Sequence, residues 1–239
     1  MKLVFISREI PPIGGGAGHV AFNLARELVK KGNEVTVLTM GFEGFPKRET
    51  IEGIDIHRID CGRKNKDSSY FFEMLLFSIK AIRYFKRNLI MQGYDLAMCI
   101  AIVPDGWVAN RIGKMAGIPV VINSQGTDVP GYDKKRFRFI HSLIKPVWCH
   151  LVRSANRLTA PSTSHAELIR KSIQDIKIDI VPNGIAIDTF DPEPFDRKQG
   201  FLLCSRLISR KNFDIFLEAL SSIDSPQEVN IVGDGPMFD

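Results

Sequence analysis

The sequence predicts an α/β protein with a doubly wound parallel sheet, followed by the start of a second, similar domain. Short apolar runs alternate with helical patterns through residue 185, and the alternation resumes after a stretch rich in proline and charge. We therefore expect a first domain at 1–185, a linker at 186–200 and a second domain beginning at 201–239. About 40 residues cannot bury a core alone, so we expect this second part to be incomplete.

The chain opens with a predicted βαβ unit. An apolar strand is expected at Lys2–Ser7 and a β-rich strand at Glu34–Met40. Between them a glycine-rich turn leads into a helix in which Val20, Leu24 and Leu28 recur every four residues. Such a unit favours parallel strands joined by a right-handed crossover.

The remaining elements follow in the same alternation. Five further strands of the first domain are predicted at 54–59, 94–101, 118–124, 157–162 and 178–184. Helices are predicted at 69–91, 105–115, 134–155 and 163–171. In the second domain we expect a strand at 201–207, a helix at 211–221 and a strand at 228–233.

The composition is that of a soluble globular protein that meets anions. Of the 239 residues, 44% are hydrophobic and 25% are charged, with a net charge of +5. The four cysteines form no CxxC pair, which favours buried, reduced thiols. The N-terminus has too few apolar residues for a signal peptide, and no run approaches the roughly 20 that cross a membrane. We expect a cytoplasmic protein, or one peripheral at the inner face of the membrane.

Loops at predicted strand ends carry the candidate site of the first domain. Gly15 and Gly16 follow the first strand, where backbone N–H groups and a helix N-terminus suit phosphate or sugar oxygens. Gln125 and Asp128, in the segment SQGTD, offer an amide and a carboxylate for sugar hydroxyls. Asn183 stands in another strand-end turn. The alternatives are a structural tight turn, a helix-capping Asp128 and an ordinary Asn-Gly turn.

Two cations and a glycine mark the second domain. Arg206 ends a predicted strand and Lys211 opens a predicted helix, so both should face one crevice at the strand ends and hold a diphosphate. Solvated basic residues are the alternative. Gly233 ends the next strand in a turn suited to close backbone approach toward a nucleotide.

Five segments together resemble the retaining glycosyltransferases of family 4. They are PPIGGGAGHV, SQGTD, VPNGIAIDTF, CSRLISRKNFDIFLEAL and IVGDGP, and they span the chain in order. The resemblance implies a GT-B enzyme with two facing Rossmann-like domains, the first on the acceptor side and the second binding the nucleotide sugar. It also implies roles: Gly15 and Gly16 against the donor, Asp128 near the transferred sugar, and Arg206 and Lys211 on the diphosphate.

The chain departs from the family pattern in two places. Gln125 stands where members often carry His, and an amide can hydrogen-bond a hydroxyl but cannot act as a protonated donor. The family's paired-glutamate motif has no counterpart before Asp239. We therefore expect the 239 residues alone to be inactive.

Two basic segments suggest a further partner. Lys80, Arg83 and Arg87 lie on a predicted amphipathic helix. A second run comprises Lys134, Lys135, Arg136 and Arg138. With neighbouring aromatic residues, these cations favour contact with an anionic membrane surface, the alternative being a solvated basic face.

The leading hypothesis is a retaining hexosyltransferase of cell-envelope polysaccharide synthesis. It would move sugar from a nucleoside diphosphate donor to a glycan or lipid-linked acceptor, with no metal, no cofactor and no nucleic acid partner. The second hypothesis is a non-catalytic module that binds glycan or membrane. The third is a dinucleotide oxidoreductase, which is disfavoured because His19 stands where the third fingerprint glycine should be and the second strand ends without a ribose-binding acid.

Overall fold

The computed structural model describes residues 1–132, 138–187, 199–223, 228–235 and 237–238. The chain divides into two compact units, Met1–Ile187 and Asp188–Asp239. The basic residues Lys134, Lys135 and Arg136 lie outside the described residues, as does the side chain of Arg138.

The first unit is built on an eight-stranded sheet in the order β3-β4-β2-β1-β5-β6-β7-β8. Its strands are β1 (Lys2–Ile6), β2 (Glu34–Met40), β3 (Arg48–Ile51), β4 (Ile54–Ile59), β5 (Leu96–Ile100), β6 (Val120–Asn123), β7 (Arg157–Ala160) and β8 (Asp179–Ile180). Every neighbouring pair is parallel except β3 with β4. This mainly parallel sheet confirms the predicted fold class.

Helices cover both faces of the sheet. They are α1 (Gly16–Lys30), α2 (Phe71–Asn88), α3 (Asp105–Ala116), α4 (Arg138–Ser154) and α5 (Thr163–Ser172). Ala21 and Ala25 of α1 pack with Phe5 and Ile56 in one core cluster. The other cluster joins α2 to α5 through residues such as Phe77 and Trp148. Because consecutive parallel strands need crossovers on a sheet face, this arrangement is the doubly wound pattern.

Helix α2 combines a buried stripe with an exposed apolar end. Phe77, Ala81 and Phe85 recur every four residues and are fully buried. The first part of the helix instead exposes large apolar side chains, namely Phe71, Phe72, Leu75, Leu76 and Ile79. Within the described residues, no helix has the length and apolar character needed to cross a bilayer.

The strand β3 was not predicted from the sequence. Its residues, RETI, include a single apolar side chain because β3 forms the antiparallel edge of the sheet. The turn that joins it to β4 places Glu52 and Gly53 at φ +49° and +79°, which suits a two-residue hairpin. The expectation of four buried thiols is also wrong, since Cys204 is exposed and Cys149 is half-buried.

The second unit contains a strand, a helix and a strand. Its elements are β9 (Phe201–Cys204), α6 (Phe213–Ser221) and β10 (Val229–Val232), with the two strands parallel. Lys211 does not open the helix as predicted. It ends a short 3-10 turn, Ser209–Lys211, and Asn212 follows with φ +54° before α6 begins. This left-handed residue interrupts the helical path that the sequence pattern suggested.

Candidate functional site

The candidate site lies where the sheet changes its direction of winding. Strand β1 pairs with β2 on one side and with β5 on the other. The crossover after β1 therefore leaves toward one sheet edge, while the chain after β5 proceeds toward the other. In open α/β sheets, ligands bind in the crevice that opens between such strands at their carboxyl ends. Here that crevice is bordered by the loops at Ser7–Gly15 and Ala101–Pro104.

The glycine-rich loop after β1 packs around Glu9. The N–H of Gly15 donates to Glu9 Oε2 at 3.1 Å, and the N–H of Gly14 donates to the carbonyl of Lys66 at 2.8 Å. Gly14 has φ +91°, and a Cβ there would collide with the Glu9 side chain. Gly16 is exposed, with open space where its Cβ would be. Room for a ligand in this loop is therefore at Gly16 and the start of α1.

Glu9 is a site residue that sequence reasoning missed. Its carboxylate lies 3.6 Å from the guanidinium of Arg63, whose side chain is fully buried. Arg63 also donates to the carbonyls of Arg8 and Lys66, each at 3.1 Å, so it links the loop after β1 to the loop after β4. Burial lowers the pKa of Arg63, and the nearby Glu9 opposes that shift. The signal available in the sequence was the charged pair Arg8-Glu9 directly after the first strand.

Asp105 is the second residue that sequence reasoning missed. It is completely buried at the start of α3, where its Oδ2 accepts the N–H of Arg8 at 3.4 Å. The Arg8 guanidinium lies 4.0 Å away, and Oδ1 has no hydrogen-bond partner among the described residues. Burial raises the pKa of Asp105 to about 7, against the lowering effect of Arg8. A buried carboxyl of this kind can hold or release a proton near neutral pH.

Asp128 joins the loops that follow β5 and β6. One carboxylate oxygen accepts the N–H of Ile102 at 2.9 Å and the hydroxyl of Ser124 at 3.0 Å. The other accepts the N–H of Gly126 at 2.8 Å. The backbone carbonyl of Asp128 accepts the indole N–H of Trp148 at 2.8 Å. The side chain is 8% exposed, so these contacts hold both loops in place.

A histidine extends this network away from the strand ends. The Ser124 hydroxyl lies 2.9 Å from Nε2 of His165 on α5. Because Ser124 donates to the carboxylate of Asp128, the ring nitrogen donates to the serine oxygen. Burial lowers the pKa of His165, while the charge of Asp128 opposes that shift.

Gln125 and Asn183 meet although they are far apart in sequence. The Gln125 amide nitrogen donates to the Asn183 side-chain oxygen at 3.1 Å, and the Asn183 amide returns a bond of 2.8 Å. Gln125 also donates to Asn123 at the end of β6. The structure thus brings together two residues that were predicted to bind substrate, and Gln125 lies in the same loop as Asp128.

The predicted residues of the second unit lie near the ends of its strands. Arg206 and Lys211 are both exposed, in the chain between β9 and α6. Gly233 follows β10, and a Cβ there would collide with the carbonyl of Ser205 after β9. Gly233 therefore has a packing reason to be glycine. Its role in binding a nucleotide stays a prediction.

Comparisons with known proteins identify the family. The model of glycosyltransferase family 4 matches residues 14–189. An uncharacterized glycosyltransferase of Methanocaldococcus jannaschii is 23% identical over the whole chain, which covers 64% of that protein. The chain therefore spans less than two thirds of this relative.

Solved structures share the fold. Sucrose-phosphate synthase from Thermosynechococcus elongatus matches with a TM-score of 0.77 at 17% identity, over 97% of this chain and 61% of that one. WaaG, a glycosyltransferase involved in lipopolysaccharide biosynthesis, matches with a TM-score of 0.64 at 18% identity, over 98% and 64%. The catalytic domain of starch synthase IV from Arabidopsis thaliana, bound to ADP and acarbose, has a TM-score of 0.67 at 14% identity, over 98% and 68%. The fold is GT-B, and the chain belongs to glycosyltransferase family 4.

Proposed function

We propose that this protein transfers a sugar from a nucleoside diphosphate donor to a hydroxyl of a glycan or lipid-linked acceptor, with retention at the anomeric carbon. The observation that carries the proposal is the meeting of four strand-end loops at one edge of the sheet. Asp128 bonds the loops after β5 and β6, the Gln125–Asn183 pair adds the segment after β8, and the loop after β1 borders the same crevice. Such an edge suits a polyhydroxyl ligand because it gathers amides, hydroxyls and backbone N–H groups.

The donor diphosphate is assigned to the second unit. Arg206 and Lys211 are exposed cations in the chain between β9 and α6, and the departing diphosphate gains negative charge as the glycosidic bond breaks. A nucleoside diphosphate is present in the related starch synthase structure. In this proposal the cations stabilise the leaving group without a divalent metal. Within the first unit, Asp128 and Gln125 are the residues proposed to bind sugar.

The transfer reaction can be tested with the 239-residue chain and a full-length version side by side. Release of nucleoside diphosphate from a panel of donor sugars, with NMR of the product anomer, would measure activity and stereochemistry. In the full-length version we expect Arg206→Ala or Lys211→Ala to lower turnover by roughly 100-fold, while Lys30→Ala on the exposed end of α1 leaves it unchanged. The 239-residue chain should show little turnover.

Several results would contradict this proposal. Loss of activity on adding a chelator would contradict the metal-independent mechanism. A product with inverted configuration at the anomeric carbon would contradict retention. Equal turnover of the Arg206 variant and the parent would contradict the proposal that Arg206 stabilises the leaving diphosphate. Binding of glycan by the full-length version without any transfer would favour a non-catalytic module.

We also propose that the protein works at the cytoplasmic face of an anionic membrane, in cell-envelope polysaccharide synthesis. Support comes from α2, where Phe71 and Phe72 are 56% and 79% exposed on the helix that also carries Lys80, Arg83 and Arg87. Apolar side chains enter the interface while cations meet lipid phosphates, at about 1 kcal/mol per basic residue.

Vesicle sedimentation tests the membrane contact. Replacing Phe71 and Phe72 by Ser should weaken binding to acidic vesicles, and added salt should weaken it further. Met91→Ser is the matched control, because Met91 is 93% exposed just beyond α2. Equal binding to neutral and acidic vesicles would contradict the proposed contact with anionic lipid and would favour the alternative of a solvated basic face.

A further inference from the structure

A separate basic groove lies between the β3–β4 hairpin and α2. Its volume is about 550 Å³. Six cationic residues line it: Lys47, Arg48, Arg58, Lys80, Arg83 and Arg87. The carboxylate among its lining residues is Asp60. Strand β2 separates β4 from β1, so this groove is distinct from the crevice beside the glycine-rich loop.

An ordered hydrogen-bond chain supports the groove. The Arg48 guanidinium donates two bonds of 2.9 Å to Asp55, and His57 Nε2 lies 2.8 Å from the same carboxylate. His57 Nδ1 is 2.8 Å from the hydroxyl of Tyr84, which lines the groove from α2. A carboxylate only accepts, so Nε2 of His57 carries a hydrogen and donates it to Asp55.

These hydrogen bonds engage Arg48 and hold both walls of the groove in place. Burial raises the pKa of Asp55, but the hydrogen bonds from Arg48 and His57 outweigh it and leave that pKa below its usual value. The Asp55 charge is thus retained and holds Arg48, while Tyr84 is anchored across the groove to β4. The positions of Arg48 and Tyr84 on the two walls of the groove are therefore fixed by hydrogen bonds within the first unit.

Arg83 and Arg87 take part in none of the ion pairs that the structure describes at this groove. At this groove, the ion pairs that the structure describes are those of Arg48 with Asp55 and of Arg58 with Glu49. Lys80 donates to the backbone carbonyl of Asp60 at 2.7 Å. Arg83 and Arg87 are exposed and one helical turn apart, a spacing at which like charges repel. An anion between them would remove this repulsion.

We propose that the groove binds a phosphate-bearing ligand, with Arg83 and Arg87 donating to phosphate oxygens and Lys47 and Lys80 completing the site. The planar guanidinium fork matches a phosphate group, and the volume suits a small molecule or a headgroup. Two sources offer this chemistry. One is a soluble phosphate compound, and the other is a lipid with a terminal phosphate, because the exposed apolar end of α2 lies on the same helix.

Titration calorimetry with inorganic pyrophosphate tests the soluble source. The proteins to compare are the parent, the double variant Arg83→Gln/Arg87→Gln, and Arg153→Gln/Arg170→Gln. The last removes two exposed arginines from α4 and α5 and so matches the loss of charge. We expect saturable binding whose Kd rises at least about 10-fold in the groove variant alone. Any binding at Arg206 and Lys211 is shared by all three proteins.

Vesicles test the lipid source. Phosphatidic acid and phosphatidylglycerol are compared at equal surface charge, since only the first has a terminal phosphate. Preference for phosphatidic acid, lost in the groove variant and kept in the control, would support the site with a headgroup as ligand. The proposal is overturned if neither probe distinguishes the two double variants, whatever their transfer activity. The proposed reaction would then still stand, because it does not use this groove.

Discussion

The buried carboxyl of Asp105 should make the stability of the first unit depend on pH. Its pKa is about 7 in the folded protein and 3.8 as the ordinary value, because burial disfavours the charged form. The folded state thus binds this proton more tightly than the unfolded state. Between about pH 4 and pH 7, this residue makes the free energy of unfolding fall as pH rises, with a plateau above.

The variant Asp105→Asn removes this ionisation and keeps an oxygen that can accept the N–H of Arg8. A shift of this size corresponds to about 4 kcal/mol as an upper limit. At about pH 8 the variant should therefore be more stable than the parent by up to this amount. At about pH 4 the gain should disappear, because the parent carboxyl is then protonated in the folded protein.

Urea unfolding followed by tryptophan fluorescence measures this difference. Both tryptophans, Trp107 and Trp148, lie in the first unit, so the signal reports on that unit. Asp67→Asn is the control, since Asp67 is exposed in a loop. The reasoning fails if the parent and Asp105→Asn differ by the same amount at both pH values, or if the variant is the less stable protein at pH 8.

Three further predictions concern the strand-end loops. Asp128→Ala should lower the free energy of unfolding by about 3 kcal/mol, because it leaves buried donors unpaired. Denaturant titration measures this loss, which should be smaller for Asp128→Asn. Gly14→Ala should destabilise the protein whereas Gly16→Ala should not, and thermal melting that ranks them oppositely would contradict the packing around Glu9. In a double-mutant cycle, Gln125→Ala and Asn183→Ala should couple by roughly 0.5–1.5 kcal/mol in stability, and strictly additive effects would contradict their pairing.

The sheet was predictable because most of its strands are buried. Strands covered on both faces appear as β-rich runs of mostly apolar residues, as in Glu34–Met40, where six of the seven residues are buried. The edge strand β3 gives no such signal, because its residues alternate between partly buried and exposed. Its position follows from pairing with β4 and from the turn at Glu52–Gly53, which are properties of the folded hairpin.

The candidate site was predictable only in part. Strand-end position indicated Gln125, Asp128 and Asn183, since polar residues after buried strands gather at one sheet edge. The sequence could not show that Asp128 is largely occupied by protein contacts. The importance of Glu9 and Asp105 depends on neighbours far along the chain, such as Arg63 for Glu9. Local patterns carry no information about such contacts.

The reciprocal amide pair of Gln125 and Asn183 has a consequence for selectivity. Each side chain already satisfies the other, so a ligand that binds there has to replace one donated and one accepted bond at once. Neighbouring hydroxyls on a sugar ring can do both, whereas an ether or a carbonyl can only accept and would leave an amide oxygen without a donor. A pair of this kind therefore favours ligands that both donate and accept a hydrogen bond, and it disfavours ligands that can only accept.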